Sequence, residues 1–293
     1  ILIDGGSYSS FGLVTTYYSG QLLSGPYDFP AYRFDSTRVF TNKPPCGPKR
    51  GHGSVQPRFA FECQLDEVAE QLGLDPIEIR RKNFHGEHTK TVNGQRITSS
   101  GFMECLDKVE RGSDWTERRG KLPRGRGLGV AGSMYISGTN YPIYPNEMPQ
   151  AGIQLKVDRS GLVTVFSGAN DIGQGSSSVV RYIVAEELGM DHEDVRVIAA
   201  DSDLCPVDLG AYSSRVTFMV GNATIDAARK LRAKIVTAVA EKWEVEERRV
   251  RLIEGRAIDL EDPEQVLTTR EAFELAEARF DTLGSTGSYN TPT

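Results

Sequence analysis

Ile153-Gln154-Leu155-Lys156-Val157, Asp158-Arg159-Ser160-Gly161 and Leu162-Val163-Thr164-Val165-Phe166 follow one another in the second half of the chain and decide its fold. Apolar residues alternate with polar ones, a polar Gly-containing turn intervenes, and a second β-branched run returns. This pattern predicts a hairpin. Working outward, Ser167 to Ser178 is a stretch of small residues, and Val180, Ile183, Val184 and Leu188 then repeat at helical spacing. Val195 to Ile198 reads as a strand. From about Asn222 to Trp243, Ile225, Ala228, Leu231, Ile235 and Val239 line one face of a long helix. Arg249 to Leu260 reads as a hairpin turning at Glu254-Gly255. Thr268 and Glu271 open a terminal helix as a capping box.

The first half is less regular. Pro30 to Thr41 is aromatic and β-branched and predicts a strand. A loop rich in Pro and Gly runs from Asn42 to Ser54. Phe61, Leu65, Val68 and Leu72 then predict the inner face of a helix ended by Gly73. Asp75, Pro76 and Glu78 read as N-cap, first-turn proline and capping-box acid of a short helix through Arg81. Residues 84–101 read as surface loop, and Ser100 to Val109 as a short helix with Phe102, Leu106 and Val109 inward. The basic, Gly-rich run Arg118 to Gly127 is the expected linker. The expected division is therefore 1–117, linker 118–127, and 128–293. Strands and helices mix without strict alternation, so the fold class is α+β. The strand-like start at Ile1-Leu2-Ile3-Asp4 and the open end after Ser285 read as cuts from something longer.

Composition bounds the function. The 293 residues are 39% hydrophobic and carry a net charge of −6, which argues for a globular chain and against a nucleic-acid surface. No apolar run approaches a membrane span. Cys46, Cys63, Cys105 and Cys205 form no C-x-x-C pair, so no zinc or iron–sulfur site is readable. Cys63 and Cys105 are expected to be small packed residues in helices, in a reducing, cytoplasmic setting. His85 and His88 read as surface residues in a polar loop.

Three segments offer chemistry. Lys49 to Gln56 combines glycines with Arg50, a fork suited to phosphate; the alternative is a tight turn with a solvated arginine. Gly173-Gln174-Gly175-Ser176-Ser177-Ser178 lies between hairpin and helix, where backbone amides bind anions; the alternative is a plain serine cap. Gly210 to Thr217, with Tyr212, Ser213 and Ser214, precedes the long helix and suits close packing on a polar ligand, or a capped helix start.

Together these segments resemble the xanthine dehydrogenase/aldehyde oxidase family of molybdenum enzymes. Arg50, Gly51, Gly53 and Gln56 are similar to its R-G-x-G-x-x-Q stretch, and Asp75, Pro76, Arg80 and Asn83 to its D-P-x-x-x-R-x-x-N pattern. Gly173-Gln174-Gly175 is similar to its G-Q-G pterin contact, and Ala211 to Arg215 to its run of small residues beside the molybdenum. Within the family, 49–62 and 210–219 most resemble the large subunit of 4-hydroxybenzoyl-CoA reductases. The resemblance implies parts of two consecutive molybdenum-cofactor-binding domains, with mixed sheets and packed helices. It implies molybdopterin cytosine dinucleotide carrying molybdenum, held without protein metal ligands. Arg50, Gly51, Gly173, Gln174, Gly175, Ser176, Ser177, Ser178, Tyr212, Ser213 and Ser214 would contact the cofactor, Gly175 to Ser178 at its pyrophosphate. His52, Tyr141 and Tyr144 would contact substrate. It implies partner subunits or domains with iron–sulfur clusters and FAD. The expected reaction is reductive dehydroxylation of 4-hydroxybenzoyl-CoA, the alternative hydroxylation of an aromatic heterocycle or aldehyde. The family's G-x-G-E base and Q-x-F-G-G motif are absent from the sequence, so the chain alone is expected to be inactive. A non-catalytic anion- or nucleotide-binding module built on Gly173 to Ser178 is the reading from another class.

Overall fold

A computed structural model describes residues 1–8, 12–138 and 150–290. It contains two compact units, Ile1–Tyr135 and Ile136–Thr293.

In the first unit, β1 (Leu2–Asp4) pairs in parallel with β2 (Thr37–Val39), and α1 (Gly12–Leu23) runs between them. The expected strand over 30–41 thus shrinks to three residues. Its aromatic side chains pack on one another instead: the Tyr32 and Phe34 rings stack at 6.4 Å, and the Tyr32 hydroxyl donates to the Gly20 carbonyl. α2 (Val55–Leu72) ends at Gly73, whose φ of +65° is the left-handed stop expected of glycine. Its buried face differs from the expected one. Val68 and Leu72 are exposed, while Arg58 and Glu62 are buried with Pro57 and Ala69. The apolar period of this helix misleads because its inner face carries a charge network.

α3 (Pro76–Asn83) begins at the expected cap: Asp75 accepts from the Ile77 amide at 2.7 Å and Pro76 occupies the first turn, but Glu78 makes no capping-box bond back to Asp75. β3 (Thr89–Lys90) and β4 (Arg96–Ile97) form a small hairpin within the expected loop. α4 (Phe102–Gly112) buries Leu106, which packs with Ile77 and Trp115 of α5 (Trp115–Arg118). Leu128 and Val130, beyond the expected linker, pack on this same cluster. Cys63 and Cys105 are exposed, not packed, because they lie on the solvent sides of α2 and α4. His85 is half-buried rather than surface: its ring nitrogens sit against the carbonyls of Gly25 and Gly86.

The second unit is built as its pattern dictates, except that a strand closes the sheet over residues 284–289, where the sequence offered only an open end. β5 (Ala151–Val157) and β6 (Val163–Ser167) form the hairpin, with Ile153, Leu155, Val157, Val163 and Val165 buried. α6 (Ser176–Leu188) crosses to β7 (Val195–Ala199), which lies parallel to β6. α7 (Gly221–Trp243), led in by one π-helical turn at Val216–Val220, buries Leu231, Ile235 and Val239, each worth about 1.5–3 kcal/mol. β8 (Val250–Ile253) and β9 (Arg256–Asp259) turn at Glu254 and Gly255, both left-handed, and β10 (Val266–Thr268) joins β9. The Thr268–Glu271 capping box opens α8 (Thr269–Phe280). β11 (Gly284–Tyr289) returns beside β5, giving the order β11-β5-β6-β7. α7 packs closely on β11 because Gly287 has no side chain: a Cβ there would lie 2.2 Å from the Ala223 carbonyl oxygen.

Candidate functional site

In the second unit the parallel pair β6 and β7, joined by α6, sends the two following loops out of one end of the sheet. That is where open sheets with parallel crossovers place ligands. Residues 168–175 leave β6 and residues 200–215 leave β7. The loops touch: the Ala200 amide donates to the Ser167 carbonyl at 2.9 Å, and a Cβ on Gly168 would come within 2.3 Å of the Pro206 carbonyl oxygen. Two of the three sequence candidates therefore lie on or just after loops that leave the same end of this sheet.

Gly173 and Gly175 have φ of +99° and +79°, and a Cβ on either would meet nothing within 4 Å. Their backbone faces open space, so a flat ligand has room to lie against it. Gln174 is exposed; its amide donates to the Asn170 carbonyl at 2.9 Å and accepts from the Ile172 amide at 2.6 Å. Ser176 is buried and its hydroxyl donates to the Asn170 carbonyl. Ser177 and Ser178 are more open. Asp171, which sequence reading passed over, accepts from the amides of Gly173 (2.9 Å), Gly175 (3.3 Å) and Ser177 (3.3 Å). These amides hold its carboxyl below the usual carboxylate range.

The second loop carries more strain. Ser213 and Ser214 are consecutive left-handed residues, at φ of 54° and 50°. Such backbone needs support from its surroundings. Gly138 donates to the Ser213 carbonyl and the Ser137 hydroxyl to the Ser214 carbonyl. Fully buried Arg215 donates to Asp208 at 2.7 Å, to the Gly210 carbonyl at 2.9 Å and to the Gln150 carbonyl. Asp208 in turn accepts from the Gly210 amide at 2.8 Å. This buried pair fixes the loop that presents half-buried Tyr212. Tyr141 and Tyr144 lie outside the described residues.

In the first unit Arg50 is exposed, while His52 is buried edge-on between Tyr18 (5.2 Å) and Tyr135 (5.9 Å), with the Tyr135 hydroxyl 3.2 Å from Nδ1. Burial pushes the His52 pKa down. The close seat depends on Gly53: at φ +82°, a Cβ would lie 2.5 Å from the Tyr18 Cβ and 2.7 Å from the Thr15 carbonyl oxygen. The D-P-x-x-x-R-x-x-N residues are structural here. Arg80, fully buried, donates to Glu62 and Asp66 at 2.8 Å each and to the Pro76 carbonyl at 2.7 Å. Glu62 also accepts from the Tyr27 hydroxyl (2.8 Å) and the Gly132 amide (2.9 Å). Burial, aided by the Glu62 carboxylate, drives the Tyr27 pKa well above the ordinary phenol value. Beside this network a half-open cavity of about 600 Å³ is lined by Phe84, Ile97, Phe102, Leu106, Trp115 and Val130, among others. No sequence period marks it, because its walls come from separate elements.

Among the described residues no group of three or more His, Cys, Asp and Glu could hold a metal ion. The donors at the sheet end are amides, hydroxyls and glycine backbone, a set that fits a polar organic group.

Residues 1–84 and 108–293 each match a family described as a molybdopterin cofactor-binding domain. The chain is 36% identical over 274 residues to a putative xanthine dehydrogenase molybdenum-binding subunit of Escherichia coli K12, covering 91% of this chain and 36% of that protein. It is 31% identical over 245 residues to a probable xanthine dehydrogenase subunit of Bacillus subtilis, covering 82% and 32%. Quinoline 2-oxidoreductase of Pseudomonas putida 86 superposes with a TM-score of 0.83 at 25% identity, over 99% of this chain and 40% of that one. The chain thus spans about a third of the length of these curated relatives. It belongs to the molybdopterin-binding subunits of the molybdenum hydroxylase family.

Proposed function

We propose that this chain forms part of the cofactor wall of a molybdenum-dependent oxidoreductase that hydroxylates an aromatic N-heterocycle. One observation carries the reading: two loops from the carboxyl ends of β6 and β7 meet, one with open glycine backbone at Gly173 and Gly175, the other held strained at Ser213-Ser214 by buried Arg215. A heterocycle is favoured over the 4-hydroxybenzoyl-CoA thioester because the relatives above are named for xanthine and quinoline.

When bound, the cofactor supplies two-electron redox chemistry with oxygen transfer. The protein's share is positioning. Gln174, Gly173, Gly175 and Ser176 to Ser178 would hold it from the β6 side, and Tyr212 to Ser214 from the β7 side. Arg50 and Gly51 are further proposed contacts, and His52, Tyr141 and Tyr144 the proposed substrate residues. Buried His52, kept neutral at pH 7 by its lowered pKa, would offer a neutral hydrogen-bonding ring. The cytosine dinucleotide form, iron–sulfur and FAD partners, and residues 1–117 and 128–293 as parts of successive cofactor domains complete the proposal. A cytoplasmic location accords with four unpaired cysteines; no helix among the described residues is long and apolar enough to cross a membrane. The isolated chain should show no turnover.

The test is to purify the assembled parent, measure molybdenum and cytidine nucleotide, and assay xanthine, quinoline and an aldehyde with an artificial electron acceptor. 4-Hydroxybenzoyl-CoA is assayed separately with reduced viologen. Turnover of the thioester alone would overturn the heterocycle reading; absence of molybdenum would overturn the enzyme reading.

A further inference from the structure

The turn that enters α6 offers amides to an anion, and an internal carboxylate already takes three of them. Asp171 lies two residues before Gly173 and takes the amides of Gly173 and Gly175 on Oδ1 and that of Ser177 on Oδ2. These donors are what a left-handed glycine turn and the first turn of a helix would otherwise offer a phosphate. Gln174 closes the same turn from the other side, bridging Ile172 and Asn170. A phosphate brought to these amides would have to displace Asp171 or sit beside its negative charge, and like charges at contact distance repel.

We propose that Asp171 is a positioning residue that holds the amides of Gly173, Gly175 and Ser177 and so shapes the G-Q-G turn at the entry to α6. The turn then meets the cofactor through the open faces of Gly173 and Gly175 and the free edge of Gln174, and the pyrophosphate bridge is held elsewhere. The assignment rests on the proposed function only in saying what the turn is shaped for. The filled amides stand without it.

The chain itself is the first object of the test, by site-resolved amide exchange. Asp171→Ala should speed exchange at Gly173, Gly175 and Ser177 by about tenfold to a hundredfold, the loss expected for hydrogen bonds to a charged acceptor. Asp171→Asn keeps one oxygen and turns the other into a donor. It should therefore deprotect Ser177 more than Gly173. Unchanged exchange in the core of α6 and in β5–β6 shows that the fold is kept. Inorganic pyrophosphate should leave the three amides untouched in the wild type and perturb them in Asp171→Ala, where the nest stands open. Perturbation in the wild type, or equal exchange in wild type and Asp171→Ala, would overturn the proposal. In the assembled parent, Asp171→Ala should lower molybdenum and pterin content at least tenfold, and wild-type content in that variant would overturn the positioning role. A wild-type parent without molybdenum would instead count against the proposed function and leave the exchange result standing.

Discussion

Glu62→Gln is the most informative single change in the first unit. In the wild type the two carboxylate oxygens accept three hydrogen bonds and pair with one further cation. Oε1 faces the Tyr27 hydroxyl at 2.8 Å and Arg58 Nη1 at 3.7 Å; Oε2 faces Arg80 Nε at 2.8 Å and the Gly132 amide at 2.9 Å. A glutamine fits the same space. Its oxygen can replace Oε2, because both donors there are fixed N–H groups. Its NH2 can replace Oε1, because the Tyr27 hydroxyl can rotate to accept. The hydrogen-bond count is therefore nearly conserved, and the change isolates charge. What remains is two buried guanidiniums and one carboxylate, Asp66, whose side chain is 41% exposed.

Removing one member of a buried ionic network costs about 3–5 kcal/mol. The residual Asp66 pairing places the expected loss near the lower end, about 3 kcal/mol. The assay is equilibrium urea unfolding in a Trp243→Phe background, so that buried Trp115 reports the first unit alone. The midpoint should fall with an unchanged slope. Tyr27→Phe should cost about 1.5–3 kcal/mol in the wild type, as a hydrogen bond to a charged acceptor, and about 1 kcal/mol in the Glu62→Gln background. A Glu62→Gln cost below about 1 kcal/mol would refute the reasoning, because the network would then be held by hydrogen bonding and not by charge.

Gly53→Ala should destabilise the first unit by about 3 kcal/mol or more, combining left-handed strain with a contact against backbone that cannot yield; a thermal midpoint within about 1 °C of wild type would sink it. Gln174→Ala in the assembled parent should lower turnover by up to about 3–4 kcal/mol of transition-state stabilisation while unfolding stays within about 0.5 kcal/mol. Loss of folding with full turnover per folded molecule would make Gln174 purely structural. His52 has a folded pKa below its unfolded value of 6.5, so the unfolded state takes up the proton first. Its contribution is fully present above about pH 6.5 and is lost as pH falls from there to the folded pKa, with a slope of at most about 1.4 kcal/mol per pH unit. His52→Gln should flatten the stability–pH curve in that window, and an unaltered curve would show that another group titrates.

The second unit was legible because each local signal agrees with the packing. The alternation over 153–166, the Glu254-Gly255 turn, the Thr268–Glu271 box and the apolar stripe of the long helix all appear as read. The first unit was not. Its α2 buries Arg58 and Glu62 and exposes Val68 and Leu72, so hydrophobic period pointed at the wrong face. A buried carboxylate satisfied by hydrogen bonds from three separate segments carries no local sequence signature. Arg80 could be flagged by its motif, but its partner Glu62, which precedes it by 18 residues, could not.

The same distinction explains what was missed in the site. Glycine runs announce where backbone is open, and Gly173 and Gly175 are such places. They do not announce what already occupies the donors. Asp171 looks like any loop carboxylate in the sequence, yet its position two residues before Gly173 lets one side chain reach the alternate amides of Gly173, Gly175 and Ser177. A glycine-rich turn at a helix start therefore supports two opposite readings, a cradle for an external anion or a frame around an internal one. Here an acidic residue two positions before the first glycine takes the amides, and on the proposal above Asp171, more than the glycines, sets what this turn presents.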